Sequence, residues 1–125
     1  MLIKDRMTPE ELKHRTKQFA LRCIRVVEAL PATRTADVIS RQLLRSATSV
    51  GANYRAACRA KSKRDFAYKV DIAIEEADES LYWMELIIES GLLPQEQLAS
   101  LSKEGNEIVA ILIASSRTAK RNNHP

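Results

Sequence analysis

Residues 41–89 of this 125-residue chain read RQLLRSATSVGANYRAACRAKSKRDFAYKVDIAIEEADESLYWMELIIE. Each half of the stretch repeats apolar or small residues every three or four positions, which is typical of helices that bury one face. Between the halves, Ser62 is a good helix N-cap, and Asp65 follows three residues later as in a capping box. Two long helices joined by so short a turn must run antiparallel, so this stretch predicts a helical hairpin.

Outward from the hairpin, the sequence predicts one more helix on each side. Thr8, Pro9 and Glu11 form a compact start signal for the first helix, and Pro31 ends it. Gly91 is expected to close the third helix, and Pro94 to lie in the first turn of the fourth. The predicted helices cover residues 9–30, 36–60, 63–90 and 94–118, and the basic tail, 117–125, is expected to fray.

The inward faces of the predicted helices show which residues should form the core. The stripe on the second helix is short-chained and partly polar, so a neighbouring helix can approach closely, with Gly51 permitting close packing and Asn53 needing hydrogen-bond partners if buried. The four predicted stripes are Leu12, Thr16, Phe19, Cys23, Val26, Leu30; Ala36, Ile39, Leu43, Ser46, Val50, Asn53, Ala57; Phe66, Val70, Ala73, Ala77, Leu81, Met84, Ile88; and Leu98, Leu101, Gly105, Ile108, Leu112, Ser115. The fold class is therefore all-α: an up-down-up-down antiparallel four-helix bundle with short loops, one domain over residues 1–125.

Charge is distributed unevenly although the net charge is only +4. Residues 41–64 contain seven basic residues and no acid, whereas residues 65–89 contain eight acids and one base. A helical projection places four arginines in a ridge opposite the inward face of the second helix, and three cations follow at the next turn. These candidate phosphate contacts are Arg41, Arg45, Arg55, Arg59, Lys61, Lys63 and Arg64. Arginine suits phosphate or carboxylate, so the ridge indicates a polyanion or an acidic partner, and a merely solvated helix face is the equal alternative.

The third helix also has apolar residues on the face that points away from the predicted core. A helix with two apolar faces has more to bury than a monomeric bundle can hide, which predicts self-association through the outer face. The alternative is an amphipathic rim whose rings lie along the surface. The candidate interface residues are Tyr68, Ile72, Glu75, Glu79, Tyr82, Trp83 and Leu86.

Residues that commonly carry catalysis are scarce. The histidines, His14 and His124, lie in no metal-ligand spacing; Cys23 and Cys58 form no CxxC pair; and the glycines are isolated. We therefore expect no enzyme activity, no metal and no cofactor. No apolar run approaches the roughly 18 residues of a membrane span, and the first seven residues lack signal-peptide features, so the cytoplasm is the expected compartment and no membrane partner is expected.

Two segments carry a family resemblance. QLLRSATSVGANYRAACRAKSKRDF, residues 42–66, and EEADESLYWMELIIESGLL, residues 75–93, resemble the small four-helix-bundle proteins encoded in intervening sequences of 23S ribosomal RNA genes. They are similar in particular to the branch that contains the accessory variability protein of diversity-generating retroelements. The resemblance implies a left-handed bundle that assembles into a homopentamer. In that branch it also implies a basic surface that engages RNA and a reverse transcriptase.

Two functions therefore stay open. In the first, the chain is an oligomeric accessory protein that binds nucleic acid, with RNA favoured, through the ridge on the second helix. In the second, the chain is a structural interaction module, and the same arginines pair with acids of the third helix in the same subunit or the next.

Overall fold

The computed structural model describes residues 7–122, and within that range it contains helices and no strand. The helices are α1 (Pro9–Glu28), α2 (Arg34–Cys58), α3 (Lys63–Glu89) and α4 (Gln95–Asn122). Each helix packs against the ones before and after it, and α1 also contacts α4, which places α1 opposite α3 and α2 opposite α4. This arrangement confirms the predicted four-helix bundle.

The helix ends show the expected capping chemistry. The Thr8 hydroxyl accepts from the Glu11 backbone N–H at 3.1 Å, and the Glu11 carboxylate accepts from the Thr8 backbone N–H at 3.2 Å, so the capping box is complete. Ser62 caps α3 by accepting from the Asp65 backbone N–H at 3.0 Å, but the predicted capping box is only half formed, because the Asp65 carboxylate accepts from Lys69 at 3.2 Å one turn later. Gly91 ends α3 with a φ of 78°, a left-handed conformation that favours glycine.

The fourth helix continues past its predicted end at residue 118 and reaches Asn122. The reason is contact with α3: Ala119 is buried, the Ser116 hydroxyl donates to Asp71 at 2.6 Å, and the Lys120 ammonium lies 2.8 Å from the same carboxylate. The prediction that the tail frays from residue 117 is therefore wrong as far as Asn122. The remaining tail residues, 123–125, with His124 among them, lie outside the described residues.

The core follows the predicted stripes with local shifts. Tyr54 is buried in α2, whereas Asn53 is half-buried and its side-chain amide donates to the Ser49 carbonyl at 2.8 Å. An aromatic ring gains more from burial than an amide does, so the inward face follows Tyr54. Similar one-residue shifts bury Ala67, Ile87 and Ser116 and leave half-buried the predicted Phe66, Ile88 and Ser115.

The close approach of α1 and α2 depends on Gly51. A Cβ atom at this position would lie 3.1 Å from the Thr16 hydroxyl oxygen, which itself donates to the Leu12 carbonyl at 2.9 Å. The prediction that Gly51 permits close packing in the middle of α2 is therefore confirmed.

Candidate nucleic-acid interface

The outward face of α2 carries all four predicted ridge arginines, and each of them is solvent-exposed. The side chain of Arg41 is 76% exposed. Its guanidinium pairs with Asp37, which lies one turn earlier on the same helix. An exposed pair of this kind contributes roughly 0–1 kcal/mol and partly neutralises the cation.

Arg45 is the ridge arginine that reaches across to α3. One nitrogen of its guanidinium lies 3.0 Å from Glu76, and another bonds to Glu79. Glu79 also accepts from the Trp83 indole N–H at 2.9 Å. The Trp83 hydrogen bond and then the Arg45 guanidinium hold the pKa of Glu79 below its usual value, and the two carboxylates raise the pKa of Arg45. Arg45 thus pairs with two carboxylates of its own chain, although its side chain is 49% exposed.

The other five cations of the basic run have a different environment. All are solvent-exposed, and within residues 7–122 none lies at ion-pair distance from a carboxylate. They occupy the end of α2, the connection and the first turn of α3, and so they gather at one end of the bundle. The five residues are Arg55, Arg59, Lys61, Lys63 and Arg64.

The first helix adds cations that the sequence patterns did not single out. A groove of about 560 Å³ runs along the seam between α1 and α2, and Lys13, His14 and Lys17 line it opposite Arg55 and Arg59. We call it the α1–α2 groove. The sequence shows only that Lys13 and Lys17 lie one turn apart beside the inward residue Thr16, and the packing of α1 on α2 is what brings them to the same groove as Arg55 and Arg59.

The outer face of α3 shows the predicted mixture of rings and acids. Tyr68 is 64% exposed, Tyr82 is 52% exposed, and Glu75 is exposed between them. The other predicted interface residues, Ile72, Glu79, Trp83 and Leu86, are half-buried. Trp83 packs edge-on against Tyr82 with ring centroids 5.1 Å apart. The self-association of this face stays a prediction.

Comparison with known proteins identifies the family. The family model described as 23S rRNA-intervening sequence protein matches residues 10–114. The chain belongs to this family. A crystal structure of a protein with unknown function from the S23 ribosomal protein family of Bacteroides thetaiotaomicron is similar, at 39% sequence identity and a TM-score of 0.77. The match covers 82% of this chain and 95% of that one. No curated protein matches the sequence.

The described histidine and cysteines lie on α1 and α2. His14 is exposed on α1, and both cysteines are free thiols, with burial raising the pKa of Cys23 to about 12. In the described part of the chain, no group of three or more His, Cys, Asp or Glu side chains is arranged to hold a metal ion. No helix within residues 7–122 has the length and apolar character needed to cross a membrane.

Proposed function

We propose that this chain is a non-enzymatic, oligomeric accessory protein that binds RNA through the basic end of α2. The observation that carries the proposal is the contrast within the basic run. Arg41 and Arg45 have carboxylate partners, whereas Arg55, Arg59 and the three cations that follow them are exposed and have none within residues 7–122. Cations without carboxylate partners are available for phosphate, and the release of counterions from a nucleic acid drives such binding.

The family supports RNA as the polyanion. The family is named for intervening sequences of 23S rRNA, and the resemblance to the retroelement branch implies RNA engagement. That branch also makes a reverse transcriptase a candidate protein partner. A reverse-transcriptase gene next to the gene for this chain would support that partner, whereas an interrupted ribosomal RNA gene there would favour the commoner branch.

The direct test is an RNA titration at several salt concentrations. For the wild-type protein and a structured RNA, we expect the affinity to fall linearly in log–log form with rising salt. Replacing Lys61, Lys63 and Arg64 by glutamine should lower the salt slope by about 2, since each phosphate contact on single strands contributes roughly 0.7. Arg41→Gln is the matched control and should change the slope little. Salt-independent or absent binding by the wild-type protein would contradict the proposal.

A second candidate function, a structural interaction module, is favoured by the outer face of α3. Tyr68 and Tyr82 expose aromatic surface on the same face as Glu75. Arg45 forms ion pairs with Glu76 and Glu79, so an α2 arginine can pair with α3 acids, here in the same chain. In this function the chain assembles through α3, with a ring of five subunits as the favoured assembly, and no RNA is bound.

RNA retention, read together with sedimentation velocity, separates the two functions. Both expect an oligomer at tens of micromolar protein, and replacing Tyr68 and Tyr82 by serine should weaken it. If that variant becomes monomeric and the wild type shows no salt-dependent RNA retention, the structural function is favoured. A monomeric wild type would exclude self-association through this face.

A further inference from the structure

The α1–α2 groove has the features of a track for a polymer of phosphates. We propose that it holds the sugar–phosphate backbone of one RNA strand, with Lys17 on α1 and Arg55 and Arg59 on α2 as its phosphate contacts. This inference rests on the proposed RNA-binding function. It adds the path of the strand and a contact from α1 that lies outside the basic run.

The floor of the groove is built from small residues. Thr48 and Ala52 are exposed there, and Ala20 and Gly51 are half-buried. A Cβ atom at Gly51 would lie 3.1 Å from the Thr16 hydroxyl oxygen, so the glycine lets α1 approach α2 closely. The glycine also keeps this part of the floor free of a side chain. A ligand backbone can therefore come close to both helices, while longer cationic side chains stand on either side.

The charge of the groove is strongly positive. Its lining contains four cations, Lys13, Lys17, Arg55 and Arg59, and a single carboxylate, Glu10. Glu10 is already in contact with Lys13, whose ammonium lies 3.2 Å from it. Lys17, Arg55 and Arg59 have no carboxylate at ion-pair distance in the part of the chain that the structure describes. A phosphate strand supplies the missing counter-charge.

The spacing of the cations fits a single strand. Arg55 lies in the last turn of α2 and Arg59 is its C-cap, four residues later. One helical turn is about 5.4 Å along the axis, a spacing comparable to that of neighbouring phosphates in a strand. Packed helices have axes roughly 8–10 Å apart, so cations on α1 and on α2 can reach the same sugar–phosphate backbone laid along the seam.

The lining also predicts how selective the groove is. No phenylalanine, tyrosine or tryptophan is among the residues that line it. Base stacking on such rings is the usual source of affinity for unstacked bases, and without it the contacts go to phosphates alone. Binding in the groove should therefore depend strongly on salt and weakly on base sequence.

The most direct test introduces a negative charge on the floor of the α1–α2 groove. Ala52→Glu and Ala52→Gln introduce side chains of the same size at an exposed helical position, and only the first is negative. We expect Ala52→Glu to weaken binding of a single-stranded RNA about tenfold, since the carboxylate repels phosphates at short range. Ala52→Gln should bind nearly as the wild type does. Circular dichroism checks that both variants are folded.

A second pair of double variants measures how many phosphate contacts the groove residues make. Lys17→Gln/Arg55→Gln should lower the salt slope on single-stranded RNA by about 1.4, at roughly 0.7 for each lost contact. The control, Arg25→Gln/Arg34→Gln, removes two exposed cations from the same two helices away from the groove and should leave the slope unchanged.

The outcomes separate this inference from the function on which it rests. Suppose that RNA binding is salt-dependent and needs Lys61, Lys63 and Arg64 but is unaffected by Ala52→Glu. That result would overturn the inference that the groove holds an RNA strand and would leave the proposed function standing. No salt-dependent binding by the wild type would overturn both. A change in the sedimentation coefficient of Ala52→Glu without RNA would show that the groove is a contact between copies, which also overturns the inference.

Discussion

The two sides of α2 use the same kinds of residue in opposite ways. On the side of α3, Arg45 is neutralised by Glu76 and Glu79, and below it the buried hydroxyls of Ser46 and Ser80 are 2.9 Å apart in a hydrogen bond. On the side of α1, cations stand over a floor of small residues without carboxylates to neutralise most of them. On the α3 side of α2, the charge of Arg45 is paired within the fold. On the α1 side, most of the cations are available for a ligand.

The largest expected effect is a loss of stability when the packing between α1 and α2 is disturbed. Gly51→Leu would force a branched side chain against Thr16, whose hydroxyl oxygen would lie only 3.1 Å from the Cβ atom, and it should lower the free energy of unfolding by about 1–3 kcal/mol. Urea denaturation followed by circular dichroism measures the change. Ala52→Leu, at the exposed neighbouring position, is the control and should stay within about 0.5 kcal/mol of the wild type. Equal losses in the two variants would show that the α1–α2 contact is not tight.

The next effect concerns the seam between α3 and α4, which resembles the neutralised side of α2. Asp71→Asn removes the carboxylate that accepts from Ser116 and pairs with Lys120, and it should cost about 1 kcal/mol of unfolding free energy, because the pair is partly exposed. Hydrogen exchange of the last turns of α4 should rise more than exchange in α2. Unchanged protection near Lys120 would contradict the role given to Asp71.

Removing the acids that pair with Arg45 should make the α3 side of α2 available for RNA, as the α1 side is. Glu76→Gln/Glu79→Gln releases Arg45 at a cost of about 0–1 kcal/mol in stability. The freed guanidinium should raise the salt slope of RNA binding by about 0.7. Glu75→Gln, which removes an exposed acid of the same helix outside the Arg45 cluster, is the control. A slope that rises equally in the control would mean that overall charge, and not Arg45, is responsible.

The smallest effect is a pH dependence of stability on the α3 side. The folded-state pKa of Glu79 is lowered by the Trp83 indole and by Arg45, so its contribution is present above the ordinary carboxyl pKa of about 4.3 and is lost as the pH falls through the lower folded value. Glu79→Gln should therefore flatten the fall in stability below that pH. Urea midpoints between pH 5 and 3 measure this, and a Glu79→Gln curve parallel to that of the wild type would contradict it.

Much of the fold could be predicted because its signals are local. Thr8, Ser62 and Gly91 end or start helices through hydrogen bonds to nearby residues, and the structure shows those bonds. The end of α4 could not be predicted in this way, because near its end Ser116 and Lys120 contact Asp71, which lies far away in sequence. Asn53 and Tyr54 show the same limit, since either could follow the helical period and only packing selects the ring.

The candidate site was predicted less completely. The basic run identified the cations of α2, but its pattern could not separate Arg45, which depends on the distance to Glu76 and Glu79, from Arg55, which faces α1. Lys17 was missed because its importance comes from lying opposite α2, a tertiary relation. The sequence therefore indicates which residue types are available, and the packing of the helices decides which of them a ligand can reach.

The measurement that tests the central claim most directly compares two arginine pairs on one helix. Arg55→Gln/Arg59→Gln and Arg41→Gln/Arg45→Gln remove the same charge from α2, and RNA binding is titrated for both at several salt concentrations. The account predicts that the first pair lowers the salt slope by about 1.4 and that the second leaves it almost unchanged. An equal fall for both pairs, or a larger fall for Arg41→Gln/Arg45→Gln, would contradict the account.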